Sequence, residues 1–341
     1  MRLWIAIIAE KQDDCIAKKV ALFTNLWYNI GKYNSVQKYG KERQMRYSES
    51  TLVTWTKPAS DTEETKIENT ISMIKNAINE SEEMAGLDIE IFVQGSYANN
   101  TNVKTNSDVD VCVMLKSTFY TEYPQGKTRE DYGFTAGTIT FDEYKGKVQR
   151  AVVKKFGSSC VTVGNKSLKI RSNTYHVNAD VVVALMLKNY KALNSVTPNK
   201  YIEGTRFYSS QGKEVTNYPK RHISNGKNKN IATNHNYKYL VRIFKHIRNM
   251  MVTDQIINGD VISSFLVECL VWNVPNSIIT EDTSWTERVK KSIIYLYNSI
   301  KNSQHKEWCE VSEMLYLFVG RKWNDADTKD FLQKMWNYLE Y

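Results

Sequence analysis

Asp108 and Asp110 stand two residues apart in QGSYANNTNVKTNSDVDVCVML, Gln94 to Leu115, about a dozen residues after Gly95 and Ser96. Val109, Val111 and Val113 alternate with polar or small residues, a pattern that predicts a β-strand. Successive strand side chains point to opposite faces, so both carboxylates project from the same face. Carboxylates that close repel, and their pKa values are driven apart unless a cation sits between them. A hard divalent ion such as Mg²⁺ takes oxygen ligands and shares them with substrate phosphates. Gly95 follows the strand predicted for Ile89 to Gln94 and permits a tight turn. The N–H groups of the next helical turn and the Ser96 hydroxyl can then hold a phosphate. Gly-Ser and Asp-x-Asp are each common alone. In this order and spacing, flanked by strands, they predict a metal-dependent phosphate site.

A third carboxylate is available. HVNADVVVALML, His176 to Leu187, reads as a long buried strand with Asp180 in its middle. A charge in so apolar a run is costly to bury unless it is paired or ligates a metal. The bland alternative is a core Asp hydrogen-bonded to backbone. As an acid on a neighbouring strand, Asp180 would complete with Asp108 and Asp110 a cluster for two Mg²⁺ ions, for which Mn²⁺ can substitute. Such a cluster serves an in-line displacement with a pyrophosphate leaving group.

Several elements must position these residues. Ser60 and Glu63 form a capping box that opens a helix from Asp61 to Met84, and Asp142 to Phe156 forms a second helix. Short strands follow near Cys160 to Val163 and Leu168 to Arg171. Beyond Asn189 the periodicity is mostly helical, with a Gly/Asn/Lys-rich loop around Asn225 to Asn230. The expected fold class is α+β: a mixed sheet with helices carrying the carboxylates, against a helical C-terminal lobe, with the active site in the cleft between them. The expected divisions are an extension of unassigned role at 1–44, a catalytic core at 45–190 and a helical lobe at 191–341. Leu3 to Ala9 is apolar, but it is too short to span a bilayer and is followed by EKQDD, a poor signal peptide.

At 341 residues and 39.5 kDa, with 42% hydrophobic and 24% charged residues, the chain has the composition of a soluble globule. Its five cysteines are scattered and odd in number, which excludes a disulfide framework and a zinc cluster and fits a reducing cytoplasm. The net charge of +9 is concentrated: Lys213 to Arg248 holds nine Lys or Arg against one acid, Glu214. Such focus predicts an anionic ligand on one surface. Within it, Leu240, Val241, Phe244, Ile247 and Met251 recur at helical spacing, leaving Lys238, Arg242 and Lys245 as an opposing basic stripe.

The Gly-Ser, Asp-x-Asp and distal Asp pattern resembles that of the DNA polymerase β-like nucleotidyltransferases. Within that superfamily the chain is most similar to the CD-NTases, bacterial relatives of cyclic GMP-AMP synthase and oligoadenylate synthetase. The resemblance covers about residues 45–341 and rests also on YSESTLVTWTKPASDTEETKIENT, VTNYPKRH, NHNYKYLVRIFKHIRNMM, ISSFLVECLVWNVP and WCEVSEMLYLF. The resemblance implies that Lys245 contacts the donor triphosphate, with Lys238 and Arg242 as weaker matches. It also implies that Ser264 contacts phosphate and that Phe265 stacks on a base where relatives carry Tyr. Phe265 as a core residue of an amphipathic helix is the alternative.

The activity so implied is a template-independent nucleotidyltransferase that makes a cyclic di- or trinucleotide from ATP and a second nucleoside triphosphate. The implied setting is a cytoplasmic monomer in anti-phage signalling (CBASS), whose product acts on a separate effector. No membrane contact is expected, and no RNA-binding module is visible. Two rivals are a linear RNA or oligoadenylate polymerase and a nucleotide sensor without turnover. Asn217, in VTNYP, could read a base edge or be a turn residue. Base choice and linkage are not legible.

Overall fold

Short apolar runs bounded by turns build the sheet, and segments of helical period pack on it, in a computed structural model that describes residues 45–58, 61–103 and 108–341. The 1–44 extension and the capping box at Ser60 lie outside the described residues. Helix α1, Glu49–Trp55, is capped by Ser48, whose side chain accepts the Thr51 N–H at 3.2 Å. Helix α2, Asp61–Asn79, buries Ile67, Ile74 and Ile78 along one face. It stops at Asn79 rather than Met84, since Glu82–Met84 forms a separate 3₁₀ turn. Strand β1, Ile89–Gln94, runs into α3, the single turn Gly95–Ala98. Strand β2, Val109–Glu122, follows, and then α4, Phe141–Phe156. A capping box starts α4: Thr140 and Glu143 each accept the other's backbone N–H, at 3.3 and 2.7 Å.

Strands β3, Val161–Val163, and β4, Leu168–Ile170, form a hairpin, and β5, Ala179–Asn189, returns through the middle of the sheet. Strands β6, Ile202–Tyr208, and β7, Glu214–Asn217, extend it, correcting the expectation of mostly helix beyond Asn189. Helices α5, Pro219–Ala232, α6, Asn236–Thr253, α7, Ser264–Trp272, α8, Asn276–Glu281, α9, Trp285–Lys301, and α10, Asp325–Tyr338, complete the order. The loop expected at Asn225 to Asn230 is inside α5: Pro219 supplies the first turn, and the buried Gly226 faces Asn99, Val311 and Tyr237 at ordinary contact distance.

The sheet is mixed. β1 pairs antiparallel with β2, and β2 runs parallel to β5. The far edge of β5 is shared, with β4 on its first residues and β6 on its last. Val111 to Leu115 and Val181 to Leu187 are buried on both faces, as near-continuous apolar strands at the centre of a sheet must be. Tyr144, Val148, Ala151 and Val152 of α4 close one face. Arg46–Leu339 form one compact unit.

Candidate active site

Register places the acids. Asp110 of β2 is paired with Gln94 on one side and with Asp180 of β5 on the other. Parallel in-register neighbours lie about 4.8 Å apart and share a face, so two carboxylates stand side by side at the level where β1 ends. Asp180 is the second residue of β5, not its middle, and both side chains are half-buried. Asp108 lies just ahead of β2 and is exposed.

Burial, then Asp180, then Asp108 push the Asp110 carboxyl up to about 7. Among the described residues no three His, Cys, Asp or Glu side chains already converge as a metal cage. The donor set nonetheless fits a hard divalent ion. It is all carboxylate oxygen, and a cation between the acids would offset both the burial and the repulsion that raise the Asp110 carboxyl. Asp180 Oδ1 is held by the Ser167 hydroxyl at 2.9 Å, and Lys169 lies opposite Asp180 across the β4–β5 pair. Neither Ser167 nor Lys169 was singled out in the sequence, because only strand register brings them to Asp180.

Gly95 sits at φ 71°, and a Cβ there would stand 2.1 Å from Asp110 Oδ2. Glycine is therefore required twice over, by conformation and by the carboxylate lying against it. Ser96 is half-buried in α3. The loop after it is fixed by the Thr101 N–H, which donates to the Ser96 carbonyl at 2.9 Å, and by the Asn99 side-chain amide, which donates to the Gly95 carbonyl at 2.8 Å.

The basic stripe on α6 is corrected. Arg242 is 2% exposed and Lys245 is 1% exposed. Arg242 donates to the Thr56 carbonyl at 2.6 Å and to the Asn100 carbonyl at 2.5 Å. Lys245 donates to Glu268 at 2.6 Å and to the Thr101 hydroxyl and carbonyl at 3.0 and 3.1 Å. Lys238 is half-buried, and burial pulls its ammonium down. Helix α6 is thus buried on nearly every side, and two of its charges are answered by loop carbonyls or a carboxylate rather than by solvent.

The focused charge of Lys213 to Arg248 disperses likewise. Lys220 bridges Glu90 and Glu203 at 2.6 Å each, and Arg248 donates to the Gly259 and Ile262 carbonyls at 2.6 and 2.8 Å.

Glu268 of α7 accepts from Lys245, from the Thr101 hydroxyl at 2.8 Å and faces His222 Nε2 at 2.9 Å. Burial pushes the Glu268 carboxyl up, but Lys245 and His222 override it and hold the carboxyl well below the usual range. The helical half therefore grips the loop that follows Ser96. SFLVECLVW did carry the signal: a lone acid in an apolar helix needs a buried partner. Ser264 is the first residue of α7, capped by Ser263, and Phe265 is 37% exposed rather than core. The Phe265 ring stacks on Trp323, centroids 5.6 Å apart at 23°. Asn217 ends β7, opposite Thr205. No helix among the described residues is long and apolar enough to cross a membrane.

The cGAS/DncV-like nucleotidyltransferase C-terminal helical domain model matches residues 224–340, and a nucleotidyltransferase domain model matches residues 72–172. A cyclic dipyrimidine nucleotide synthase, CdnE of Cecembia lonarensis, is 45% identical over 298 residues, covering 87% of this chain and 99% of that protein. The CdnE c-UMP-AMP synthase of Rhodothermus marinus, solved with Apcpp and Upnpp, superposes with a TM-score of 0.75 at 31% identity, covering 85% of this chain and 95% of that one. The CdnE cyclic dinucleotide synthase of Elizabethkingia meningoseptica, solved with GTP and Apcpp, gives a TM-score of 0.73 at 34% identity, covering 87% of this chain and 100% of that one.

Proposed function

The chain belongs to the CD-NTases, the cGAS/DncV-like nucleotidyltransferases, and on that premise we propose that it joins two nucleoside triphosphates into a cyclic dinucleotide, as part of anti-phage signalling. The observation that carries the reading is the single sheet level shared by Asp110, Asp180 and the Gly95–Ser96 turn. Asp108, Asp110 and Asp180 hold Mg²⁺. When bound, the metal neutralises the phosphate charge and lowers the barrier to displacement at phosphorus. Gly95 lets the donor's phosphates approach the backbone, and the Ser96 and Ser264 hydroxyls donate to them. Phe265 offers its exposed face to a base. Asp180, steadied by Ser167, accepts the proton of the attacking ribose hydroxyl. A new P–O bond forms at the donor's α-phosphorus as the bond to the β-phosphate oxygen breaks, and pyrophosphate leaves. A second transfer of the same kind closes the ring.

Lys245 and Arg242 enter as positioning residues. They fix Thr101 and Asn100 behind Ser96, rather than contacting phosphate. Two of the relatives make products that contain a pyrimidine by name, so we assign at least one pyrimidine to this chain's product.

The test is incubation with the four ribonucleotides and Mg²⁺, phosphatase treatment and mass spectrometry of resistant species. A ring with at least one pyrimidine is expected. A ladder of linear oligomers would replace this reading with a polymerase, and nucleotide binding without pyrophosphate release would replace it with a sensor.

A further inference from the structure

A base can stack only on a ring that is held still. Phe265 stands in the first turn of α7, where an exposed side chain keeps its rotamer freedom unless neighbours remove it. Two rings border it. Trp323 stacks with it, and His222 meets it at 5.7 Å between centroids, tilted by 42°. His222 is the fourth residue of α5 and is buried. Its helix is tied down on the far side. The Asn225 amide donates to the Val311 carbonyl at 2.8 Å, and Arg221 Nε donates to the Ser312 carbonyl at 3.2 Å.

The same imidazole has a second partner. Its Nε2 lies 2.9 Å from Glu268 Oε1. An ionised carboxylate only accepts, so Nε2 carries the hydrogen and donates it. The other carboxylate oxygen, Oε2, accepts from the Thr101 hydroxyl at 2.8 Å and from Lys245 at 2.6 Å. Glu268 therefore commits one oxygen to the loop behind Ser96 and one to His222. Glu268 and Phe265 are three residues apart on α7, neighbours on one helix face. Glu310, the other carboxylate near His222, is taken by Arg321 at 2.5 Å.

We propose that His222 is a positioning residue for nucleotide binding: its ring backs Phe265 and its Nε2–H holds Glu268, fixing the base-stacking face and the loop behind Ser96 in one relation. The inference rests on the reading of Phe265 as the face offered to a base. A nucleotide then meets base and phosphate contacts that are already spaced, and binding does not have to order Phe265 first.

Two substitutions separate the two contacts. His222→Gln keeps an N–H donor near the Nε2 position and removes the ring, whereas His222→Phe keeps a ring and removes the donor. Calorimetric titration of the full chain with Mg²⁺ and two probes reads binding without turnover: a UTP analogue with a non-hydrolysable α,β bridge, and inorganic tripolyphosphate, which has no base. His222→Gln is expected to weaken the analogue about two- to tenfold, the worth of one aromatic pair, and to leave tripolyphosphate unchanged. In a Phe265→Ala background it should add no further loss. His222→Phe is expected to weaken both probes equally, about two- to tenfold for one lost hydrogen bond. A histidine that serves the core alone would lower the melting temperature and alter neither affinity, or alter both probes alike in both variants; either result overturns the proposal. Additive losses in His222→Gln/Phe265→Ala overturn it too. If Phe265→Ala weakens the analogue and His222→Gln does not, the role of His222 fails while the Phe265 reading stands. If neither weakens it, both fail. Should His222→Gln not fold, selective loss of the analogue in His222→Phe, with tripolyphosphate unchanged, overturns the donor role, and equal loss of both probes upholds it.

Discussion

Asp110 lies so close against Gly95 that a single added carbon at position 95 would stand 2.1 Å from its Oδ2. Backbone and carboxylate thus define one another's position at the start of α3, and the φ of 71° adds a second reason for glycine. Gly95→Ala is expected to cost about 1–3 kcal/mol in strain and to displace Asp110. A shift of about 1 Å at a reacting centre is worth about a hundredfold in rate. Turnover measured beside the melting temperature checks this; a variant with near-normal rate would show that the contact is slack.

Asp110→Asn and Asp180→Asn each remove a carboxylate from the adjacent pair. Turnover is expected to fall at least about a thousandfold, as it does when a group acting directly on phosphoryl transfer is lost, with the far-UV spectrum unchanged. Mg²⁺ should raise the melting temperature of the wild type, in proportion to ln(1 + [Mg²⁺]/Kd), and raise it less in either variant. Equal Mg²⁺ stabilisation in all three proteins would remove the acids from the metal site. Chelation of divalent ions should abolish wild-type turnover reversibly.

Glu268 supplies a pH dependence whose sign can be worked out. Lys245 and His222 hold its folded-state pKa below that of the unfolded chain, about 4.3 for a free Glu. Its stabilisation is complete above that value and is lost as pH falls below it. Wild-type melting temperature should therefore drop from pH 5 to pH 3. Glu268→Gln is expected to start about 3–5 kcal/mol lower at pH 7, since Lys245 is left buried without its counter-charge, and to show a flatter slope in that window. Parallel curves for the two proteins would assign the acid sensitivity to other groups.

Arg242 separates two roles by kinetics. As a brace on the Thr56 and Asn100 carbonyls it should affect geometry more than affinity. Arg242→Lys, which cannot span both carbonyls with one planar group, is expected to lower kcat and the melting temperature with little change in KM. A rise in KM at constant kcat would instead return Arg242 to the triphosphate.

Phe265 carries an exposed ring in the helical half. Phe265→Ala is expected to raise KM for a nucleoside triphosphate by about ten- to a hundredfold, the worth of one base–aromatic stack at about 1–3 kcal/mol. Phe265→Tyr should keep wild-type KM. Equal KM values for all three proteins would leave the ring a support for Trp323 alone.

Local signals in the sequence were enough to determine the chemistry. The Gly95–Ser96 turn, the period of two across Asp108 and Asp110, and a lone acid near an apolar run at Asp180 are short-range patterns. Strand alternation and burial cost make such patterns legible without a fold. The same rule, applied to Glu268, would have exposed a buried partner. Helix and strand types followed from periodicity except in two places: β6 and β7 extend the sheet where helix was expected beyond Asn189, and at Asn225 to Asn230 packing overrode the turn-forming composition and continued α5.

Only the tertiary structure decided which charges are free. Amphipathic spacing presents Arg242 and Lys245 as a solvent face, because it assumes that a helix has one buried side. Helix α6 is buried nearly all round, and loop carbonyls, Thr101 and Glu268 take up those charges. The pairing of Asp110 with Asp180 is of the same kind: the two acids are local signals, but the parallel register of β2 and β5 is what sets them side by side.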